Sequence, residues 1–199
     1  YLLSYLPYFL CKESPYDLAG VWEVQKFMFN YHSSLTATHP YESRWYTWPF
    51  DVRPIWYFWS DLGAEVSAVY EGSILSLSCF GNPAVWLPGI AGLIALAVQR
   101  LRRRAPQNAA ASFLLIGFCA QYLPWVLISR ATFIYHYFPS VPFLILALAF
   151  VLSGGCGKGE GLGEEARWQK VLRVGLPVLS LALFAAFYPL IAGTPTTVA

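Results

Sequence analysis

Apolar residues in this chain gather into long, nearly unbroken runs rather than into narrow stripes of helical spacing. Four runs are long enough to cross a bilayer, which takes roughly 20 residues at 1.5 Å per residue. The first opens at Asn82-Pro83, an N-cap followed by proline at the first helical position, and continues to about Leu101. The second covers Ala109 to Ser129. The third lies within Ala131 to Leu152 and contains Pro139 and Pro142; each removes a backbone donor, so the pattern predicts a kink or a delayed helix start. The fourth runs from about Val171 to Ala192 through Pro177 and Pro189. Ahead of them, Tyr1 to Leu10 reads as the tail of a spanning helix whose beginning is missing, because the chain opens in apolar sequence without a Met or a basic leader. The expected organisation is therefore a truncated helix at 1–10, an aqueous segment at 11–81 and a four-helix membrane region at 82–199.

The polar spacing between the runs adds two features. Ser14-Pro15-Tyr16-Asp17 reads as an N-cap, a proline and an acid, after which Leu18, Val21, Trp22, Met28, Phe29 and Leu35 recur at helical spacing. An amphipathic helix ending before Pro40 is expected there. The run Ser153-Gly154-Gly155-Cys156-Gly157-Lys158-Gly159 reads as a flexible linker and lacks the lysine–hydroxyl ending of a phosphate-binding loop.

Composition agrees with a membrane setting. Charged residues make up 12% of the chain, about half the share of a soluble domain, while 57% are hydrophobic. The eight Trp suit membrane–water interfaces. A net charge of +2 gives no ground for a nucleic-acid partner. Its distribution sets the orientation. Arg100, Arg102, Arg103 and Arg104 crowd the connection between the first two spans, and Lys158, Arg167, Lys170 and Arg173 the connection between the last two. By the positive-inside rule both connections are cytoplasmic, which puts residues 11–81, the turn at Arg130 and the C-terminus on the other side.

Candidate chemistry lies on that non-cytoplasmic side. His39-Pro40-Tyr41-Glu42-Ser43-Arg44-Trp45-Tyr46-Thr47-Trp48-Pro49-Phe50, continued by Arg53-Pro54-Ile55-Trp56-Tyr57, packs Trp, Arg and Pro beside spanning helices. Aromatic faces stack on sugar rings, and Arg presents a planar fork matched to phosphate oxygens. The competing reading is an aromatic belt at the interface, with Arg44 or Arg53 paired to Glu42 or Asp51. A second constellation joins Arg130 to Tyr135-His136-Tyr137-Phe138-Pro139. Arg130 either snorkels to lipid phosphates or grips the phosphate of a lipid-linked substrate. His32, His39 and His136 lack zinc-ligand spacing, so no metal is expected, and no cofactor. Cys11 and Cys79 share a side, which allows a disulfide. No Ser-His-Asp or Cys-His signature is present.

The ordered set Phe27-Met28-Phe29-Asn30-Tyr31-His32, Thr38-His39-Pro40-Tyr41-Glu42-Ser43-Arg44-Trp45, Trp48-Pro49, Gly81-Asn82-Pro83-Ala84-Val85-Trp86 and Arg130-Ala131-Thr132-Phe133-Ile134-Tyr135-His136-Tyr137-Phe138-Pro139 resembles the C-terminal four-helix region of the protein O-mannosyltransferases. The resemblance runs over nearly the whole chain. It implies an all-α polytopic membrane protein of the GT-C glycosyltransferase type, represented here by four complete spans, the tail of a preceding one and an outer amphipathic helix. It implies a polyprenyl-phosphate sugar as donor, Ser or Thr of a secreted protein as acceptor, membrane lipid as surroundings and a dimer as an allowed assembly. The family's catalytic acidic pair belongs to an N-terminal half that this chain does not carry, so no catalytic residue is expected here and the piece alone should be inactive. Residues expected to contact donor or acceptor are His39, Arg44, Trp45, Trp48, Arg53, Arg130, Tyr135 and His136. The lumenal insert of eukaryotic members is not seen between Leu10 and Phe27, which favours a bacterial plasma membrane over the endoplasmic reticulum. Two other functions stay open at this level: a lipid-carrier-dependent transferase acting on a lipid or glycan, and a transporter or scaffold. Span interiors without acid or base weigh against ion-coupled transport.

Overall fold

The computed structural model describes residues 2–10, 17–62, 73–102, 109–155 and 167–197. It forms two compact units, Tyr1–His39 with Ser129–Ala131, and Pro40–Ile128 with Thr132–Ala199.

The smaller unit starts with a 3₁₀ turn, Leu2–Tyr5, and a short helix α1, Leu6–Leu10. Helix α2, Leu18–Ser34, is the expected outer helix and stops before Pro40. Its N-cap is Asp17, whose Oδ1 accepts a hydrogen bond from the Gly20 N–H at 2.7 Å. The cap expected at Ser14 lies outside the described residues. Gln25 donates to the Tyr5 hydroxyl at 2.8 Å and ties α2 to the opening turn. Val21 is the one buried residue of α2, while Leu18, Trp22 and Phe29 are exposed.

The larger unit holds the membrane part. Pro83–Leu101, Ala109–Leu127, Ile134–Leu152 and Arg167–Ala192 are long and apolar enough to span a bilayer, and they match the four runs. This is an integral multi-pass membrane protein. The first span is one helix, α3, Pro83–Leu101, capped as its sequence predicts: Asn82 Oδ1 accepts from the Ala84 N–H at 3.0 Å. The same Asn82 donates through Nδ2 to the Ser180 carbonyl at 2.9 Å, fixing the start of α3 to the fourth span. The second span is α4, Ala109–Tyr122, finished by a 3₁₀ turn at Leu123–Leu127 that contains Pro124. In the third, a 3₁₀ turn over Ile134–Ser140 precedes α5, Val141–Leu152. Pro139 and Pro142 thus delay the α-helix rather than kink it. The fourth span is α6, Arg167–Ala192, which passes through Pro177 and Pro189 without a buried residue. At the end of α5, Arg173 donates to the Leu152 carbonyl at 2.5 Å and Gln169 to the Val151 carbonyl at 3.2 Å, so α6 satisfies acceptors that a helix terminus leaves open.

Helices α3 and α5 approach closely because α3 carries glycine at the crossing. A Cβ on Gly89 would sit 2.8 Å from Leu144 Cβ, and one on Gly92 2.8 Å from the Leu148 Cα. Small residues at such crossings let backbones meet where lipid supplies no hydrophobic drive.

A small antiparallel sheet adds to this mostly helical fold. Strand β1, Ile55–Leu62, pairs with β2, Ser73–Cys79, from Ile55 opposite Cys79 to Leu62 opposite Ser73, with a bulge between Trp56 and Phe58. Strand β3, Thr196–Thr197, pairs with the other edge of β2 at Ser73 and Ile74. The all-α expectation contained no sheet. Four consecutive aromatics, Trp56-Tyr57-Phe58-Trp59, conceal the alternation by which a strand is read.

The core has two clusters. One gathers Trp48, Ile55, Trp86, Tyr122, Ile134, Tyr137 and Leu144; the other gathers Leu96, Ala111, Leu114 and Ala147 deeper along α3, α4 and α5.

Candidate functional site

Two stretches singled out in the sequence meet in the larger unit through two short polar residues. The Ser43 N–H donates to the Thr132 carbonyl at 2.8 Å, and the Thr132 hydroxyl donates to the Ser43 carbonyl at 2.6 Å. Both residues are buried. From this clasp the chain turns into a 3₁₀ helix, Trp45–Phe50, which drives Trp48 into the core with 0% exposure. Its indole N–H would be orphaned there and instead donates to Ser43 Oγ at 2.9 Å.

The rings then form a connected set. His136 lies 4.3 Å from Trp125, 4.4 Å from Tyr135 and 6.0 Å from Trp48 between centroids, nearly parallel to the last. His136 Nδ1 lies 3.0 Å from both the Phe133 backbone N–H and the Phe133 carbonyl, accepting from the first in one tautomer and donating to the second in the other. Tyr135 stacks on Tyr57 of β1 at 6.5 Å and on Phe133 at 5.4 Å. Tyr57 and Tyr135 keep 52% and 36% of their surface exposed, so part of each residue stays open to a ligand. Trp45 is half-buried; its carbonyl accepts from the Tyr122 hydroxyl at 2.8 Å and its ring meets Tyr122 edge-on.

Two of the expected arginines are exposed in this unit. Arg44 occupies the N-cap of the 3₁₀ helix, its carbonyl accepting from the Thr47 N–H and hydroxyl. Arg53 donates to the Glu42 backbone carbonyl at 3.4 Å. His39 and Arg130 belong to the smaller unit, where His39 is exposed and Arg130, half-buried, donates to the Ala131 carbonyl at 3.2 Å. The structure therefore joins Trp48, Tyr135 and His136 through their rings, and Trp45 reaches Trp48 through Tyr122 and Tyr137. Within that set, Trp48 has no exposed surface, so its ring packs against its neighbours.

Asp51 entered the sequence reasoning only as an ion-pair partner for Arg44 or Arg53. It closes the 3₁₀ helix in the left-handed region, φ 51°, one of the few places where a short polar side chain is favoured over other non-glycine residues. Asp51 Oδ2 accepts from the Gly81 N–H at 3.1 Å, while Oδ1 is buried without a partner among the described residues. Burial lifts its carboxyl to about 6, and the Gly81 bond only partly opposes that. Close by, burial raises the free thiol of Cys79, and burial together with Cys79 pushes Tyr57 up to about 12. The Cys11 half of the allowed disulfide lies outside the described residues. Tyr57, Trp125 and the Ser43–Thr132 clasp were also unselected. A small hydroxyl residue inside each aromatic stretch was the available signal. Among the described residues no group of three metal-ligating side chains occurs.

Residues 18–199 match the family described as the C-terminal four-TMM region of protein O-mannosyltransferase. A polyprenol-phosphate-mannose–protein mannosyltransferase of Mycobacterium tuberculosis is 28% identical over 187 residues, covering 91% of this chain and 35% of the relative. The protein of the same description from Mycolicibacterium smegmatis is 27% identical over 219 residues, covering 98% of this chain and 42% of its own length. Dolichyl-phosphate-mannose–protein mannosyltransferase 5 of Saccharomyces cerevisiae is 29% identical over 145 residues, covering 69% of this chain and 19% of its own. The chain thus spans between about a fifth and two fifths of these relatives. In fold it is similar to a chain of the S. cerevisiae protein O-mannosyltransferase complex bound to the sugar donor, with a TM-score of 0.66 at 23% identity, over 94% of this chain and 27% of that one.

Proposed function

The chain belongs to the protein O-mannosyltransferase family, as its C-terminal four-transmembrane region, and on that premise we propose that it walls part of the substrate cavity of an inverting glycosyltransferase. The reaction moves mannose, or a related hexose, from a polyprenyl-phosphate carrier to Ser or Thr of a secreted protein. The observation that carries this reading is the Ser43–Thr132 clasp, because it fastens the Arg44–Trp48 stretch to the Tyr135–His136 stretch beside the partly exposed Tyr57 and Tyr135. Exposed aromatic surface suits a sugar or an extended peptide. Arg44 and Arg53 of the larger unit supply planar donors for the carrier phosphate, which gains charge as the sugar departs, and Arg130 of the smaller unit carries the same chemistry. His136 adds a ring nitrogen to the wall that Trp45 and Trp48 position, and His39 of the smaller unit is a further candidate contact. The acids that activate the acceptor lie outside this chain.

Residues 11–81 and the C-terminus face the non-cytoplasmic side of a bacterial plasma membrane in this reading. The basic connections support it, and so does the β2–β3 pairing, since a strand after α6 can join β2 only if both are on one side. A dimer fits as the assembled form, the solved yeast relative being a complex.

The test is transfer from polyprenyl-phosphate mannose to a Ser/Thr peptide by the full-length protein, normalised to folded protein. Arg130→Ala should lower turnover roughly 10- to 150-fold, the worth of a charge-assisted contact. Arg130→Lys should recover part of it. Wild-type turnover in both Arg130→Ala and Arg44→Ala would overturn the reading.

A further inference from the structure

A cavity of about 410 Å³ opens between α3, α5 and α6, apart from the ring cluster described above. Its walls are apolar, with Val85 from α3, Ile145 and Leu148 from α5 and Leu176 from α6. One end is different in kind: there Ser153 and Arg173 line it, and Arg173 is held against the last carbonyls of α5 by its bond to Leu152. We propose that this groove is a binding site for an anionic phospholipid, its acyl chain between α5 and α6 and its phosphate at Arg173 and Ser153.

Charge and shape both favour that occupant. Arg167, Lys170 and Arg173 follow one another along the first two turns of α6, Arg100 and Arg102 end α3 on the same side of the membrane region, and α6 contains no carboxylate. A basic pocket between spanning helices at the headgroup level recognises anionic lipid heads. Beyond Arg173 the lining is apolar except for Ser180 and holds no further charge, so it suits an acyl chain better than a soluble anion. Helix α6 has no buried residue, so a lipid seated here would cover part of a helix that the rest of the chain leaves open. The site is independent of the transferase reading, and its test does not depend on turnover.

Full-length protein, stripped in mild detergent and offered phosphatidylglycerol or phosphatidylcholine, is examined by native mass spectrometry and by thermal unfolding. The wild type should retain phosphatidylglycerol in preference and unfold at a higher temperature with it. Arg173→Ala should weaken phosphatidylglycerol retention roughly tenfold or more, with phosphatidylcholine unchanged, and Arg173→Lys should keep part of the preference. Ala149→Phe, which places a ring in the groove from an exposed position of α5, should reduce retention while Arg173 remains. Glycerol phosphate without acyl chains should neither compete nor stabilise. Equal retention of the two lipids overturns the proposal, as does unchanged retention in both Arg173→Ala and Ala149→Phe. Preferential capture of polyprenyl phosphate would overturn it too, by making the groove a seat for the carrier.

Discussion

Ser43 and Thr132, 89 positions apart in sequence, hold each other by two hydrogen bonds in a buried environment, one given by each partner. Thr132→Val keeps the shape and deletes one donor, leaving the Ser43 carbonyl without its hydroxyl partner. The expected cost is about 1–3 kcal/mol. Ser43→Ala preserves the backbone pair but orphans the Trp48 indole, with a similar cost. Thermal unfolding in detergent measures both, and transfer activity should fall with the folded fraction.

The exposed rings should behave differently from the buried one. Tyr57→Ala and Tyr135→Ala remove stacking surface worth about 0.5–1.5 kcal/mol, or roughly 2- to 13-fold in kcat/KM, with normal abundance of folded protein. Trp48→Ala empties a fully enclosed site and should cost about 3–5 kcal/mol of stability. Equal loss of folded protein in all three variants would reduce Tyr57 and Tyr135 to packing residues.

The helix crossing makes a sharper contrast between two glycines. Gly92→Ala puts a methyl group 2.8 Å from the Leu148 Cα, which is backbone and cannot swing aside, so a loss of about 1–3 kcal/mol is expected. Gly175, in α6, has open space around its missing Cβ. Gly175→Ala should stabilise by up to about 1 kcal/mol through helix propensity. The pair can be compared by unfolding under identical detergent conditions.

Asp51 should leave a signature in the pH dependence of stability. Its carboxyl sits near 6 in the fold against about 3.9 in the unfolded chain, so the folded state holds the proton more tightly. Charged Asp51 therefore costs stability above pH 6, and the cost is relieved as pH falls through 6 toward 4. Cys79, which interacts with Asp51, and Tyr57, which interacts with Cys79, are both raised and stay protonated across that window. Asp51→Asn should gain most over the wild type at pH 7 and lose that gain by pH 4. A gain independent of pH would mean that the carboxyl titrates in its ordinary range.

Orientation can be read with single cysteines in a background whose native cysteines are replaced. Membrane-impermeant thiol reagents should reach Phe50→Cys and Thr196→Cys in intact cells but not Arg102→Cys. Labelling at position 102 from outside would reverse the assignment.

The membrane part of the fold was legible because bilayer thickness imposes a length that no soluble helix needs, and because Asn82-Pro83 and Pro139–Pro142 carry unambiguous backbone restrictions. The sheet was not. Strand β1 has an aromatic on both faces and a bulge at Trp56–Phe58, so its period of two is erased, and β3 is too short to show any period. At the candidate site the aromatic stretches stood out by composition, but their junction did not. Ser43 and Thr132 act largely through backbone groups, which are the same at every position. The division between Trp48, enclosed, and Tyr135, open, was equally hidden, since both are aromatic residues beside a proline or a histidine.

That last division traces to the 3₁₀ turn over Ile134–Ser140. With three residues per turn, side chains three apart eclipse one another. Ile134, Tyr137 and Ser140 thus form one ridge, all of them enclosed, while Tyr135 and Phe138 form the next, at 36% and 40% exposure. An α-helix advances 100° per residue instead of 120°. Over the six residues from Tyr135 to Val141 the two geometries differ by about 120°, one whole ridge. Pro139 and Pro142 therefore set the rotational phase of the segment as well as its start: a chain wound as α through this stretch would turn Tyr135 off its ridge with every residue type unchanged.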